Sequence, residues 1–222
     1  MYFGIRKAVD LVNGDPKLGA LIITGTGDVF APGGEMGGRH DEGGINVGAL
    51  LGMDVLPFTT LRNSAAPIVS AVNGLCQGGG LMTALLSDVA VASDRATFRA
   101  PELLRGVADS WYAAVLPAHV GIARARELVL TARRIDAAEA ERIGMIARVV
   151  PHEELLETAE QIAMQILKTA PIARAQWKRI VNSQYGWVDE PTMGASIRAP
   201  ECAEGFKSFV EKRPPSWVPS AD

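Results

Sequence analysis

Cysteine is scarce in this chain, with Cys76 and Cys202 the only two among 222 residues. Neither sits in a CxxC pair, so they cannot frame a disulfide scaffold or a thiolate metal site, and a reducing compartment is expected. Histidine is as sparse. His40, His119 and His152 are scattered, which argues against a zinc site and puts no metal in the expected chemistry. No apolar run approaches the ~20 residues needed to cross a bilayer. The opening MYFGIRK lacks the basic-then-apolar order of a signal peptide. A soluble cytoplasmic protein without membrane attachment is expected. There is no basic block either: 22 Lys and Arg face 25 Asp and Glu, for a net charge of −3. A nucleic-acid-coating surface is therefore not expected. Phosphate-loop motifs are missing too. No GxxxxGK is followed by Ser or Thr, and Gly25-x-Gly27 has Phe30 where the third glycine of a dinucleotide loop belongs. With 48% hydrophobic residues, intrinsic disorder is excluded as the main state.

Glycine is what the chain has in excess: 23 of 222 residues, above the usual share of about 7%. Two clusters each follow a buried-strand pattern. Gly33 and Gly34 lie in FAPGGEMGG, and Gly78, Gly79 and Gly80 lie in NGLCQGGGLM. Glycine lets a backbone N–H approach a ligand with no Cβ in the way. An N–H at a helix start also carries the positive end of the helix dipole. Two such loops side by side could aim two N–H groups at one oxygen, which is an oxyanion hole. The plainer reading is tight turns and close helix–strand packing.

The pattern predicts a helix over 2–13 and buried strands over 18–24, 67–72 and 89–92, with short strands at 29–31 and 97–98 and a mixed helical stretch ahead of Pro67. A helix opens from the second glycine cluster over 81–86. Beyond Glu102, helices are expected over 123–133 and from the Asp136 cap to Gly144, with Glu139 at the capping-box spacing. A strand at 145–150 and helices at 152–170, 171–184 and 201–212 follow, and Pro214-Pro215 stops the last. Strands interleaved with helices lead and helices follow, which makes the chain α/β with a helical C-terminal part. The expected division is 1–150 and 151–222.

Four blocks, in order, carry a family resemblance: LIITGTGDVFAPGGEMGG, APIVSAVNGLCQGGGLMTALLSDVAVASDRATFRAPELLRG, LVLTARRIDAAEAERIGMIARVVP and EGFKSFVEKRPPSW. Together they resemble the crotonase (enoyl-CoA hydratase/isomerase) family across nearly the whole chain. The resemblance implies a ClpP/crotonase-like spiral of ββα turns, and a helical C-terminal region that packs as a homotrimer, often paired into hexamers. It implies an acyl-CoA substrate, with coenzyme A entering as part of that substrate and no tightly bound cofactor. Family members usually begin some thirty or forty residues earlier, so the first N-terminal hairpin is expected to be missing.

By position, the resemblance puts the oxyanion-hole N–H groups at Gly34 and Gly79, and an acid at Glu102 in Ala100-Pro101-Glu102. A hydratase of this family typically carries a second glutamate where this chain has Met82. A thioether cannot activate water or relay a proton. One acid facing an apolar residue resembles the enoyl-CoA isomerases, in which a single carboxylate takes the C2 proton and returns it at C4. The expected function is therefore a double-bond shift in an enoyl-CoA, with Glu102 as base. The alternatives are hydration with one glutamate and a non-catalytic acyl-CoA-binding paralogue. Where many hydratases carry a glycine-rich loop, this chain has Asp109-Ser110-Trp111-Tyr112. Asp109 is the nearby carboxylate that could replace the missing acid, or else a solvated loop residue, and Trp111 and Tyr112 are pocket wall or plain core. Ala31, Gly33, Gly78, Met82, Asp109, Trp111, Phe209 and Lys212 complete the expected substrate-binding set. A Clp-type peptidase would need a Ser/His/Asp set, and no GxSxG-like elbow is present.

Overall fold

A computed structural model describes residues 1–33, 56–184 and 188–218. Helix α1, Tyr2–Gly14, turns Val9 and Val12 into the core and ends ahead of Asp15. Asn13 ties that end down, because its Oδ1 accepts the N–H groups of Ala65 and Ala66, both at 3.0 Å.

Three strand pairs then repeat one motif. Each pair places its first strand in one sheet and its second in another. β1 (Leu21–Thr24), β3 (Ile68–Val72) and β5 (Val89–Ser93) build the first sheet, joined at its edge by β8 (Arg148–Val150), all parallel in the order β1-β3-β5-β8. β2 (Val29–Ala31), β4 (Leu75–Gln77) and β6 (Thr97–Arg99) build the second, closed by the antiparallel β7 (Ile135–Asp136). This is the expected α/β spiral. β3 is central and buried along its whole length, which is why it reads as a continuous apolar run rather than an alternating one.

Helix α2 (Phe58–Arg62) leads into β3, and α3 (Gly79–Leu86) leaves the end of β4. A 3-10 turn, Glu102–Arg105, follows β6. Next come α4 (Ser110–Val120), α5 (Ile122–Thr131) and α6 (Ala137–Arg142), the last capped by Asp136 as its sequence predicts. The C-terminal part is α7 (Leu155–Leu167), α8 (Pro171–Gln184), α9 (Glu190–Arg198) and α10 (Pro200–Val210). Two of these helices, α4 and α9, have no counterpart in the sequence-based pattern. Pro117 lies inside α4, and Pro191 and Gly194 lie in α9. Pro117 and Gly194 are poor helix formers, whereas Pro191 sits in the first turn of α9, where proline is tolerated; packing supplies much of what holds α4.

The first sheet packs Val69, Ala71 and Val91 against Leu155, Ala159 and Ala163 of α7. The larger core lies on the other side and collects residues from α1 to α10, including Met193, Ile197 and Phe206. α8 is held partly by charge: the Lys178 ammonium pairs with Asp88 at 2.7 Å and donates to the Ala66 carbonyl, also at 2.7 Å. No helix among the described residues is long and apolar enough to cross a membrane.

Candidate active site

β2 and β4 are parallel neighbours, with Val29 opposite Leu75 and Ala31 opposite Cys76. The chain therefore leaves both strands at the same end. After β2 comes Pro32-Gly33, and after β4 comes Gly78, which caps α3 with φ +57°. The two loops touch: a Cβ on Gly33 would stand 3.5 Å from the Gln77 carbonyl oxygen and 3.8 Å from the Gly79 nitrogen. Gly34, the other expected donor, lies outside the described residues.

Gly78 needs its glycine for the left-handed φ. Gly79 needs one for space, since a Cβ there would fall 1.8 Å from the Tyr2 hydroxyl. As first residue of α3, Gly79 presents an N–H that has no carbonyl one turn back to bond. Its neighbour Gly80 lies against Ala31, whose carbonyl oxygen would be 2.4 Å from an added Cβ. The expected substrate residue Ala31 thus supports the loop from beneath.

The acids come from the segment after β6. Glu102 opens the 3-10 turn, and its Oε1 would lie 3.0 Å from a Cβ on Gly78. Its Oε2 is enclosed, with no hydrogen-bond partner among the described residues. A buried oxygen normally has a partner, and one without a partner disfavours the charged carboxylate. Burial, helped by the Asp109 charge, pushes the Glu102 carboxyl up to about 8. Asp109 is no solvated loop residue. It caps α4, with Oδ1 accepting the N–H groups of Trp111 at 2.8 Å and Tyr112 at 3.1 Å. Burial raises it to about 6, against the opposing pull of those two N–H groups. Two carboxyls pushed apart in this way hold roughly one proton between them near neutrality.

Between the loops and the acids lies a cleft of about 670 Å³, lined by Gly33, Gly78, Gly79, Glu102, Asp109 and Phe209 among others. The structure brings these six expected residues together and leaves four elsewhere, Ala31 beneath the loop being one. Met82 points into the core, 1% exposed, because α3 turns that face away from the cleft. Trp111 lines a neighbouring cavity, and its ring meets the cleft-lining Phe58 edge-on, ring centroids 5.5 Å apart. Lys212 is exposed and off the cleft, one residue past the end of the α10 cap. Phe209 is reached by Arg105, whose guanidinium lies 4.5 Å over its ring.

Sequence reasoning missed two contributors, Tyr2 and Arg105, which line the cleft. They come from separate segments, so no spacing could have flagged them. Tyr112, expected as pocket wall or plain core, is buried and donates its hydroxyl to the Gly78 carbonyl at 2.7 Å. No cluster of His, Cys, Asp and Glu suited to a metal occurs among the described residues.

A family model described as enoyl-CoA hydratase/isomerase matches residues 2–219. A mevalonyl-coenzyme A hydratase of Aspergillus fumigatus is 38% identical over 92% of this chain and 80% of its own. The crystal structure of an enoyl-CoA hydratase/isomerase from Pseudoalteromonas atlantica superposes with a TM-score of 0.77 at 29% identity, covering 98% of this chain and 88% of that one. A monofunctional enoyl-CoA isomerase from M. smegmatis superposes with a TM-score of 0.67 at 31% identity, covering 89% and 85%.

Proposed function

Because this chain belongs to the enoyl-CoA hydratase/isomerase family, we propose that it acts on enoyl-CoA thioesters and shifts their double bond, with Glu102 carrying the proton. The observation that carries this reading is the enclosed Glu102 Oε2, unpartnered among the described residues, in the same cleft as Gly79. In the forward step, ionised Glu102 takes a proton from C2 of a 3-enoyl thioester. The C–H electrons become the C1–C2 double bond of a dienolate, the C3–C4 double bond stays in place, and the carbonyl pair moves onto the thioester oxygen; the C2–C3 double bond forms when C4 takes the proton. Gly79 N–H stabilises that oxygen, with Gly34 as the second donor. Glu102 then returns the proton to C4. One carboxyl within reach of both carbons is sufficient, and the fixed donors carry the larger share of the stabilisation. The inward-facing Met82 supports a one-glutamate site.

A second reading is hydration, which Asp109 favours by lying in the same cleft. There, neutral Glu102 would give a proton to C2 while ionised Asp109 activates water at C3. The two readings differ in sign with pH. An isomerase needs Glu102 ionised, so kcat/KM rises with pH and levels off above about 8. A hydratase needs Glu102 protonated and Asp109 ionised, so kcat/KM peaks between about 6 and about 8 and falls beyond. Wild type and Glu102→Gln are assayed with a 3-enoyl-CoA and a 2-enoyl-CoA across that range. Isomerisation of the 3-enoyl ester, rising with pH and lost in the variant, is expected. Binding of both esters without turnover would instead make this a non-catalytic acyl-CoA-binding paralogue.

The same reading puts the protein in the cytoplasm as a homotrimer or hexamer. Trp177 and Ile180, one turn apart and exposed on α8, support an assembly face, and sedimentation measures it.

A further inference from the structure

The peptide joining Gly78 to Gly79 is bonded through its carbonyl, which a trans peptide points away from its N–H. Its carbonyl accepts the Tyr112 hydroxyl at 2.7 Å and the Met82 N–H at 3.1 Å. A peptide is planar, so holding its C=O sets the direction in which its N–H points. This N–H is the one from Gly79 that the proposed function aims at the thioester oxygen. We propose that Tyr112 is a positioning residue for catalysis, whose buried hydroxyl orients and polarises the Gly78–Gly79 peptide as an oxyanion donor.

Three features carry this. The peptide lies in a run of three glycines, where the backbone has the least intrinsic resistance to rotating out of place. A bond from a different helix supplies the missing restraint. The donor is itself held: Tyr112 is 1% exposed, and its own N–H is bonded by Asp109 at the head of α4. The direction of the bond is unambiguous, since a carbonyl only accepts. Burial and the nearby Glu102 and Asp109 carboxyls raise the phenol well above its ordinary value, so it stays a donor throughout the working range. Hydrogen bonds in series polarise one another, by roughly 10–30% per bond. A carbonyl with two donors therefore makes its N–H a better donor to a developing oxyanion. The arrangement also links the acid to the oxyanion donor through one helix: Asp109 fixes the start of α4, and α4 delivers the hydroxyl to the glycine loop.

The test is Tyr112→Phe in the full chain, and it rests on the acyl-CoA reading above. The variant keeps the ring, and Gly78 keeps its Met82 bond, so the fold is retained. Turnover of the enoyl-CoA substrate is measured alongside the carbon-13 resonance of hexanoyl-CoA labelled at the thioester carbonyl, a saturated ester that binds without isomerising. The expected result is a fall in kcat on the order of tenfold with KM within about twofold. The bound carbonyl resonance should also move back toward its position in free hexanoyl-CoA, because the carbonyl is less polarised. A merely structural tyrosine would lower stability yet leave both kcat of the folded protein and the bound resonance unchanged, and that result overturns the inference. If wild type itself neither turns over an enoyl-CoA nor shifts the carbonyl resonance, the acyl-CoA reading falls, and this inference with it.

Discussion

Replacing Glu102 by Gln should remove activity and make the protein more stable near neutrality. The carboxyl sits at about 8 in the fold against 4.5 for an ordinary glutamate. Below pH 4.5 it is protonated in both folded and unfolded chains and costs nothing. As pH rises past that point the unfolded chain ionises and gains free energy that the folded chain cannot match. The folded state loses about 1.4 kcal/mol per pH unit until the folded group ionises as well, near 8. At pH 5 the penalty is below about 1 kcal/mol, and at pH 7.5 it is about 4 kcal/mol. Glutamine has nearly the same shape and no charge to bury. Urea unfolding of both proteins, followed by tryptophan fluorescence, is compared at pH 5 and pH 7.5. Any fixed packing difference between the two side chains cancels in that comparison. The variant should gain about 3 kcal/mol on wild type between the two pH values. In a chain of this size that is an extra midpoint shift of roughly 6–12 °C. A difference between the proteins that is the same at both pH values would refute the reasoning, because it would mean the Glu102 carboxyl ionises in the fold much as it does in the open chain.

The glycine loop offers two contrasting substitutions. Gly79→Ala puts a Cβ against the far end of the Tyr2 side chain, which can swing away, so stability should fall by no more than about 1 kcal/mol while turnover is lost. Gly80→Ala meets the Ala31 backbone instead, so it should cost about 2–3 kcal/mol by displacing β2, measured as a lower urea midpoint. Lys178→Ala removes a buried ammonium together with its bonds to Asp88 and the Ala66 carbonyl; water and the Ile68 N–H still reach Asp88, so the expected loss is about 1–2 kcal/mol, with α8 the first segment to lose amide-exchange protection.

Much of the fold was readable because it rests on local rules. β3 announces itself as IVSAV, buried at every position, since a strand covered on both faces has no polar alternation to disguise it. Asp136 and Glu139 mark the start of α6, and an Asp136 carboxyl oxygen accepts the Glu139 N–H at 2.7 Å. α4 was not readable. Its residues SWYAAVLPAHV include Trp, Tyr, two Val and an internal Pro, so propensity points away from a helix. The helix exists because Asp109 caps it and because Trp111, Tyr112, Val115 and Leu116 are buried. That is a tertiary effect which no local window contains.

The candidate site divides the same way. The order of glycine loops and the Pro-Glu pair is a property of the chain, so the family could be named from residues alone, and Glu102 and Gly79 could be singled out as candidates. Charge state and donor orientation could not. Glu102 is an ordinary glutamate until burial and the Asp109 charge raise it, and Asp109 reads as a loop residue until α4 forms behind it. Gly79 could be singled out from its motif, but the hydroxyl that holds its peptide arrives from a residue 34 positions from Gly78. Sequence determines which groups are present and which local turns they favour. Only the tertiary structure decides which of them are stripped of water and brought within hydrogen-bond distance, and the chemistry of this cleft depends on both.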